Sequence, residues 1–134
     1  SLITVQSSRM LNAWGFLERL FGVFARHRMS VDLVATSEVS VSVSVDGLEV
    51  PDSLLQGLED LGQVDVQEHM CITCLVGRHL WRDSRTLARV FSALEGLSVR
   101  MISLGSSDIN LSLVLPDDEG ELATRALHRE FFET

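Results

Sequence analysis

The stretch SVDLVATSEVSVSV at residues 30–43 returns later in the chain as SVRMISLGSSDINLSL at residues 98–113. Each copy follows a run of residues whose apolar spacing is typical of an amphipathic helix. Arg100 in the second copy stands in the place of Asp32 in the first, so the charge at this position is reversed. A tandem repeat of one unit with one reversed charge indicates a duplicated binding module rather than an enzyme active site.

Length and charge limit the class of protein to which the chain can belong. A chain of 134 residues forms one ordinary domain or two small ones, and small units bury little apolar surface. We therefore expect the two copies to pack together or to dimerise. The formal net charge of -8 argues against nucleic acid and against an anionic membrane as partners. No apolar run approaches the length of a bilayer span, and two cysteines without a secretory leader indicate a reducing, cytoplasmic location.

The first copy and its flanks predict the element order βαββαβ. Serine and valine alternate over residues 40–46, which is the period of a strand whose valines face a core. Gly62 is expected to end the second helix as a glycine cap. The predicted elements are a strand over 3–6, a helix over 15–27, strands over 30–39 and 40–46, a helix from 51 to about 61 and a strand over 64–67.

The second copy begins in the same order, but no fourth strand is predicted after its last helix. Either its sheet is shorter, or a strand from outside this sequence completes it. The predicted elements are a strand over 70–76, a helix from 83 or 84 to about 95, strands near 97–104 and 109–115, and a helix from 117 to about 132. This order predicts an α+β fold of two ferredoxin-like units, residues 3–68 and 69–134, each an antiparallel sheet with its helices on one face.

Few residues are candidates for catalysis or for binding a metal or a phosphate group. Cys71 and Cys74 lie three positions apart in a predicted strand, so their side chains face opposite sides, and no second pair completes a zinc site. We interpret both as small hydrophobic residues of the core. No glycine-rich phosphate loop is present, and the histidines fit no catalytic motif. We therefore expect no catalytic residue, metal or cofactor in this chain; the scattered histidines are His27, His69, His79 and His128.

One group of residues, around the start of the first helix and in the second strand, indicates a ligand-binding site. Residues 8–15 lead into the first helix, whose free N–H groups and positive dipole end suit a carboxylate. We expect the second strand to lie beside the first, which would place Val31 and Asp32 close to this helix start. Asp32 stands among apolar residues, where an unpaired carboxylate is costly, and Glu38 supplies a second negative group. This arrangement suits a free amino acid with an extra amine, such as lysine.

A simpler explanation of Asp32 stays open: at a sheet edge it would pair with Arg9 or Arg28. Because Arg100 occupies the equivalent place in the second copy, that copy could not bind an amine in the same way. If the chain binds such a ligand, we expect the first unit to bind it.

Three sequence motifs of the chain are similar to those of a known protein family. They are S-x-x-M-L-x-x-x-G-F-L at 7–17, S-V-D-L-V-x-T-S-E-V-S-V at 30–41 and R-M-I-S-L-G-S-S-D-I-N-L at 100–111. They resemble the C-terminal regulatory region of aspartate kinases, and most closely that of the lysine-sensitive members. The resemblance spans essentially the whole chain. It implies a tandem pair of ACT domains placed C-terminal to a kinase domain that would use ATP and Mg.

The resemblance also implies how such a region works. The first ACT domain would bind free L-lysine between two chains of a homodimer, and the second would contribute to assembly and borrow a strand from upstream. Ala13 departs from the lysine-sensitive pattern, which tends to have a serine there, so one polar contact is missing. A dimerisation module without a functional ligand site is therefore the alternative. The implied lysine site consists of Met10, Phe16, Leu17, Val31, Asp32, Thr36, Ser37 and Glu38, with Ala13 beside it.

Overall fold

The structure is a computed structural model that describes residues 1–8, 14–46, 49–78, 84–104 and 110–133. Its backbone divides into two compact units, Ser1–Glu68 (unit 1) and His69–Thr134 (unit 2). Each unit consists of an antiparallel β-sheet and two α-helices, which confirms the predicted α+β fold of two ferredoxin-like units. None of the described helices combines the length and the apolar character that crossing a bilayer requires.

Unit 1 has the predicted element order βαββαβ. Its elements are β1 (Leu2–Gln6), α1 (Phe16–Arg26), β2 (Val31–Thr36), β3 (Ser40–Val45), α2 (Asp52–Glu59) and β4 (Gln63–Gln67). The strands lie in the order β2-β3-β1-β4, and each neighbouring pair is antiparallel. The expectation that the second strand lies beside the first is therefore wrong. The crossover through α1 makes β2 parallel to β1, and the return strand β3 occupies the space between them.

The core of unit 1 lies between the sheet and the two helices. The valines of β3 are at most 4% exposed and pack there, as the alternation of serine and valine predicts. On the other face of the sheet, Ser42 Oγ and Thr4 Oγ1 share a hydrogen bond at 2.9 Å. The buried core residues are Ile3, Val5, Phe16, Leu20, Val23, Phe24, Val41, Val43, Val45, Leu54 and Leu58.

Gly62 has a different role from the predicted helix cap. The helix α2 ends at Glu59, and Gly62 is not among the glycines with a positive φ. A Cβ at Gly62 would instead lie 2.5 Å from the carbonyl oxygen of Gln6 and 2.9 Å from the Cβ of Ser7. Glycine is therefore required here because the chain beyond α2 passes close to the end of β1, not because of a left-handed backbone.

Unit 2 repeats this arrangement with one strand fewer. Its elements are β5 (Met70–Val76), α3 (Ser84–Ala93), β6 (Met101–Ser103), β7 (Asn110–Pro116) and α4 (Asp117–Phe132). The strand order is β5-β7-β6, so β7 is central, and within the described residues no fourth strand pairs with β5. This confirms the prediction that unit 2 lacks its own fourth strand. The strand β6 is shorter than the predicted strand, and before it the N–H and the hydroxyl of Ser98 donate to the carboxylate of Glu119 of α4.

The two cysteines of β5 lie on opposite faces of the sheet, as their spacing predicts. Cys71 packs against the core of unit 2, and a Cβ at Gly120 of α4 would lie 2.5 Å from its Sγ. Burial is the main cause that raises the pKa of the Cys71 thiol, followed by the negative charge of Asp117. Cys74 is exposed, with its Sγ 3.3 Å from Ser112 Oγ, so the prediction that both cysteines are core residues is wrong for Cys74.

Candidate functional site

The N-terminus of α1 presents backbone donors. Gly15 precedes the helix in the left-handed conformation, with φ 74° and ψ 10°, and no side chain of the described residues caps it. The first helical hydrogen bond runs from the N–H of Arg19 to the carbonyl oxygen of Gly15 at 3.0 Å. The N–H groups of Phe16, Leu17 and Glu18 therefore have no partner within the helix. Together with the helix dipole they can bind an anion such as a carboxylate.

The side chains around this helix start differ in exposure. Phe16 is only 4% exposed and belongs to the core, so it can face a ligand through its backbone alone. Leu17 is 41% exposed and Trp14 is 94% exposed. The guanidinium of Arg19 lies at the same end, since its Nη1 donates to the carbonyl oxygen of Trp14 at 3.5 Å. The guanidinium of Arg19 and the N–H groups that have no partner within the helix thus lie at the same end of α1.

The turn between β2 and β3 lies at the same end of the sheet as the end of β1. The N–H of Ser7, directly after β1, donates to the carbonyl oxygen of Val39 at 2.8 Å. Within the turn, the N–H of Ser37 donates to the carbonyl oxygen of Ser40, and their hydroxyls share a hydrogen bond at 2.7 Å. Glu38 projects from this turn and is exposed. The turn therefore places Ser37 and Glu38 at the end of the sheet where the chain departs for α1.

Asp32 lies at the other end of the sheet. It is near the start of β2, and only residues 27–30 separate that strand from the C-terminus of α1. Along the strand Asp32 is separated from Thr36 by about 13 Å at the usual rise per residue. Within one unit, therefore, Asp32 and the N-terminus of α1 do not come together, contrary to the expectation from sequence.

A β-bulge sets the position of Asp32 on this edge strand. Val31 pairs with Val45 and Leu33 with Ser44, so Asp32 is the extra residue between the two pairs. The hydroxyl of Ser44 accepts the N–H of Leu33 at 3.0 Å, which satisfies a donor beside the irregular pair. Bulges of this kind re-aim a side chain at a sheet edge.

The carboxyl of Asp32 has a carboxylate neighbour instead of the predicted arginine. Partial desolvation raises the pKa of Asp32, and the charge of Asp46 and a hydrogen bond to its side chain raise it further. The N-terminal ammonium of Ser1 acts in the opposite direction. No ion pair joins Asp32 to Arg28 in the described part of the chain, and Arg9 lies outside that part. Sequence reasoning missed Asp46, which the hairpin pairing of β2 with β3 could have indicated.

The remaining residues of the predicted site are distributed as follows. Val31 is half-buried against the core of unit 1, and Thr36 is exposed at the end of β2. Met10 and Ala13 lie outside the described residues. The structure thus brings Thr36, Ser37 and Glu38 to one end of unit 1 and leaves Val31 and Asp32 at the other; their role in binding stays a prediction.

The equivalent region of unit 2 differs in charge and in local structure. Arg100 directly precedes β6, is exposed, and donates its N–H to the carbonyl oxygen of Val114 at 2.8 Å. Nearby, the carboxylate of Glu119 accepts the N–H of Ser98 at 2.6 Å. Among the described residues, no cluster of histidine, cysteine, aspartate or glutamate is arranged to hold a metal ion.

Similarity to known proteins agrees with this architecture. The profile of the ACT domain matches residues 73–131. Aspartokinase 3, chloroplastic, from Arabidopsis thaliana is 38% identical over 100% of the chain and 26% of its own length. Lysine-sensitive aspartokinase 3 from Escherichia coli K12 is 37% identical over 99% of the chain and 31% of its own length. The chain therefore spans less than a third of the curated relatives that it matches.

Two solved structures share both fold and sequence with the chain. Escherichia coli aspartokinase III in complex with lysine and aspartate has a TM-score of 0.86 and 36% identity, over 98% of this chain and 31% of that one. A chain assigned to the C-terminal regulatory domain of aspartate kinase from Porphyromonas gingivalis W83 has a TM-score of 0.83 and 37% identity. That alignment covers 98% of this chain and 90% of the other. By its sequence, its fold and the extent of this match, the chain belongs to the ACT-domain regulatory regions of the aspartate kinases.

Proposed function

We propose that the chain binds free L-lysine in unit 1 and thereby inhibits an aspartate kinase domain in feedback control of lysine biosynthesis. The observation that carries this proposal is the division of the site. The start of α1, with its backbone donors, and the turn at Ser37 and Glu38 lie at one end of unit 1, and Asp32 lies at the other end, on the edge strand β2. A relative named as lysine-sensitive and a lysine complex of Escherichia coli aspartokinase III support the choice of effector.

A second copy of the chain would complete the site. Two β2 strands that pair antiparallel about a two-fold axis place the start of each beside the end of the other. Asp32 of the partner subunit would then lie near Thr36 and close to the start of α1. β2 can pair in this way because, among the strands that the structure describes, it is hydrogen-bonded to β3 alone. The effector site is thus incomplete in a single chain.

Binding in such a shared site follows from the charges. The effector carboxylate would accept hydrogen bonds from the N–H groups of Phe16 and Leu17. Glu38 and the partner's Asp32 would neutralise the two amines. Because lysine would contact both subunits, it stabilises one arrangement of the dimer, and a kinase domain attached upstream responds to that change. Coupling of this kind is typically worth about 1–3 kcal/mol. The kinase domain itself would bind aspartate, ATP and Mg, and we place the protein in the cytoplasm.

Isothermal titration calorimetry with L-lysine tests this proposal, with D-lysine and L-threonine as controls. We expect saturable heat for L-lysine alone and a large loss of affinity in Asp32→Asn. Asp65→Asn is the matched control, because Asp65 is an exposed aspartate on β4, the opposite edge of the same sheet. Equal loss of affinity in both variants, or binding of threonine in place of lysine, would contradict the proposed site or effector.

A dimerisation module without a ligand site is the second candidate. It is favoured by the exposed apolar side chains of Leu17 and Val34, which are 41% and 39% exposed and suit a subunit interface with or without a ligand. A folded dimer that gives no heat with any of the three amino acids would support this function instead.

A further inference from the structure

Ser44 of β3 is a buried polar residue beside the bulge of the edge strand β2. Its side chain is only 4% exposed, and its hydroxyl oxygen accepts the backbone N–H of Leu33 at 3.0 Å. A hydrogen bond from a side chain therefore crosses between the two strands at the point where their register shifts.

The bulge moves neighbouring residues of β2 to opposite faces of the sheet. Residues two apart in a regular strand share one face. Val31 nevertheless pairs with Val45 and packs against the core of unit 1. Leu33 pairs with Ser44, which alternates with the core valines of β3 and therefore lies on the other face. Asp32, between them, takes up this change of face.

The turn and the core set the two ends of β2 in different registers. The N–H of Ser37 donates to the carbonyl oxygen of Ser40 at 2.8 Å. Continued along the strand, this register would bring Asp32 opposite Val45 in the core, where a carboxylate is costly. Val31 pairs with Val45 instead. β2 therefore needs one extra residue between its two ends, which is the bulge.

The position of the extra residue along β2 is not determined by these two ends. Ser44 is the residue of β3 that faces both Asp32 and Leu33, and only one of the two can pair with it. The hydrogen bond from the N–H of Leu33 to the hydroxyl of Ser44 favours Leu33 as that partner. Asp32 is thereby left outside the ladder, with its side chain exposed at the edge of the sheet.

We propose that Ser44 is a positioning residue of the lysine site: its hydroxyl fixes the bulge at Asp32 and so keeps that carboxylate outside the ladder, where an effector amine can reach it. This inference rests on the function proposed above and adds a residue that acts on the site through Asp32. Without the hydroxyl, the bulge is free to move to Leu33, and Asp32 then enters the ladder opposite position 44. Because the proposed site takes Asp32 from the edge strand of the partner subunit, this movement lowers lysine affinity.

Two variants of equal shape isolate the hydroxyl. Ser44→Thr keeps it and Ser44→Val replaces it with a methyl group, and both residues favour strands. Calorimetry with L-lysine should give an affinity about tenfold lower in Ser44→Val than in Ser44→Thr, as for the loss of one buried hydrogen bond. Ser42→Ala is the matched control and should leave lysine affinity unchanged, because it removes a hydroxyl from the same face of β3 that is bonded to Thr4 at 2.9 Å. Equal affinities in Ser44→Thr and Ser44→Val would overturn the inference.

Coupling to Asp32 distinguishes positioning from a merely structural role of Ser44. In the Asp32→Asn background, at lysine concentrations that saturate the weaker site, Ser44→Thr and Ser44→Val should differ less than about twofold in affinity. The bulge then has no carboxylate to place, so the two substitutions are not additive. A full tenfold difference in this background would show that Ser44 acts independently of Asp32 and would overturn the inference.

Amide hydrogen exchange provides a measurement that needs no ligand. The N–H of Leu33 should exchange faster in Ser44→Val than in Ser44→Thr, because only the second keeps its side-chain acceptor. Equal exchange in the two folded variants would contradict the role of the hydroxyl. A wild type that binds no lysine would overturn the proposed function and this role with it. A wild type that binds lysine, together with equal affinities in the two variants, would overturn the role of Ser44 alone.

Discussion

A Cβ at Gly62 would lie 2.5 Å from the carbonyl oxygen of Gln6, so the turn after α2 and the end of β1 meet with no space for a side chain. Gln6 immediately precedes the segment that leads toward the predicted lysine site. The contact holds the turn after α2 close against the end of β1.

Gly62→Ala should lower the free energy of unfolding by about 1–3 kcal/mol, because the backbone of Gln6 cannot yield as a flexible side chain would. Urea denaturation followed by circular dichroism measures the change. Gly22→Ala is the control: its Cβ would meet only the Nη1 of Arg26 at 3.6 Å, and alanine favours the helix, so we expect a gain of about 0.5–1 kcal/mol. Equal and small effects at both positions would contradict the close approach at Gly62.

Glu119 is predicted to stabilise unit 2 through its bonds to Ser98. The carboxylate accepts the N–H of Ser98 at 2.6 Å and its hydroxyl at 3.3 Å. Glu119→Ala leaves that N–H without its partner and should cost about 1–3 kcal/mol in the free energy of unfolding. Glu121→Ala removes only an exposed pair with Arg125 and should cost no more than about 0.5 kcal/mol. Thermal unfolding of both variants measures the two losses of stability. A larger loss in Glu121→Ala than in Glu119→Ala would contradict the prediction.

The ionisation of Asp32 should make stability depend on pH. Because the pKa of Asp32 is raised above its ordinary value of 3.8, the folded protein holds this proton more tightly than the unfolded chain does. The protonated carboxyl of Asp32 therefore stabilises the fold in acid, and this stabilisation is lost as pH rises from 3.8 through the raised pKa of the folded state. Asn imitates the protonated acid, so Asp32→Asn should exceed the wild type in unfolding free energy by a few tenths of a kcal/mol at neutral pH. The difference should vanish in acid solution. Urea denaturation at both pH values measures it, and a variant that is less stable at neutral pH would contradict the sign.

Val34 provides a test of the edge strand as a subunit interface. The side chain of Val34 on β2 is 39% exposed, so Val34→Asp places a charge on the surface of this edge strand. The variant should weaken both self-association and lysine affinity. Sedimentation velocity with and without L-lysine measures the first, and calorimetry the second. Gln63→Asp on the other edge strand, β4, is the matched control and should change neither. Loss of association in the control alone would place the interface at β4.

Local sequence patterns predicted where helices and strands begin and end better than they predicted which elements lie beside one another. The apolar spacing of α1 and the acidic start of α4 located both helices to within one residue, because those signals lie in the elements themselves. The position of β3 between β1 and β2 has no local signal, so Asp32 was placed at the wrong end of α1. The proximity of Gly62 to Gln6 likewise depends on tertiary packing. The resemblance identified the family, whereas the separation of Asp32 from the start of α1 to opposite ends of unit 1 needed the strand order.

The most direct test of the shared site mixes two variants that are each defective in lysine binding. Asp32→Asn removes one half of the site and Glu38→Gln the other, so in a mixed dimer one site receives both intact residues. If the site is built from two subunits, an equal mixture should recover lysine binding at roughly a quarter of its sites, because half of the dimers are mixed and each has one intact site. Equilibrium dialysis with L-lysine after subunit exchange measures the recovery. A mixture that binds no more lysine than its two components would contradict the account, because it would place Asp32 and Glu38 in the same site of a single chain.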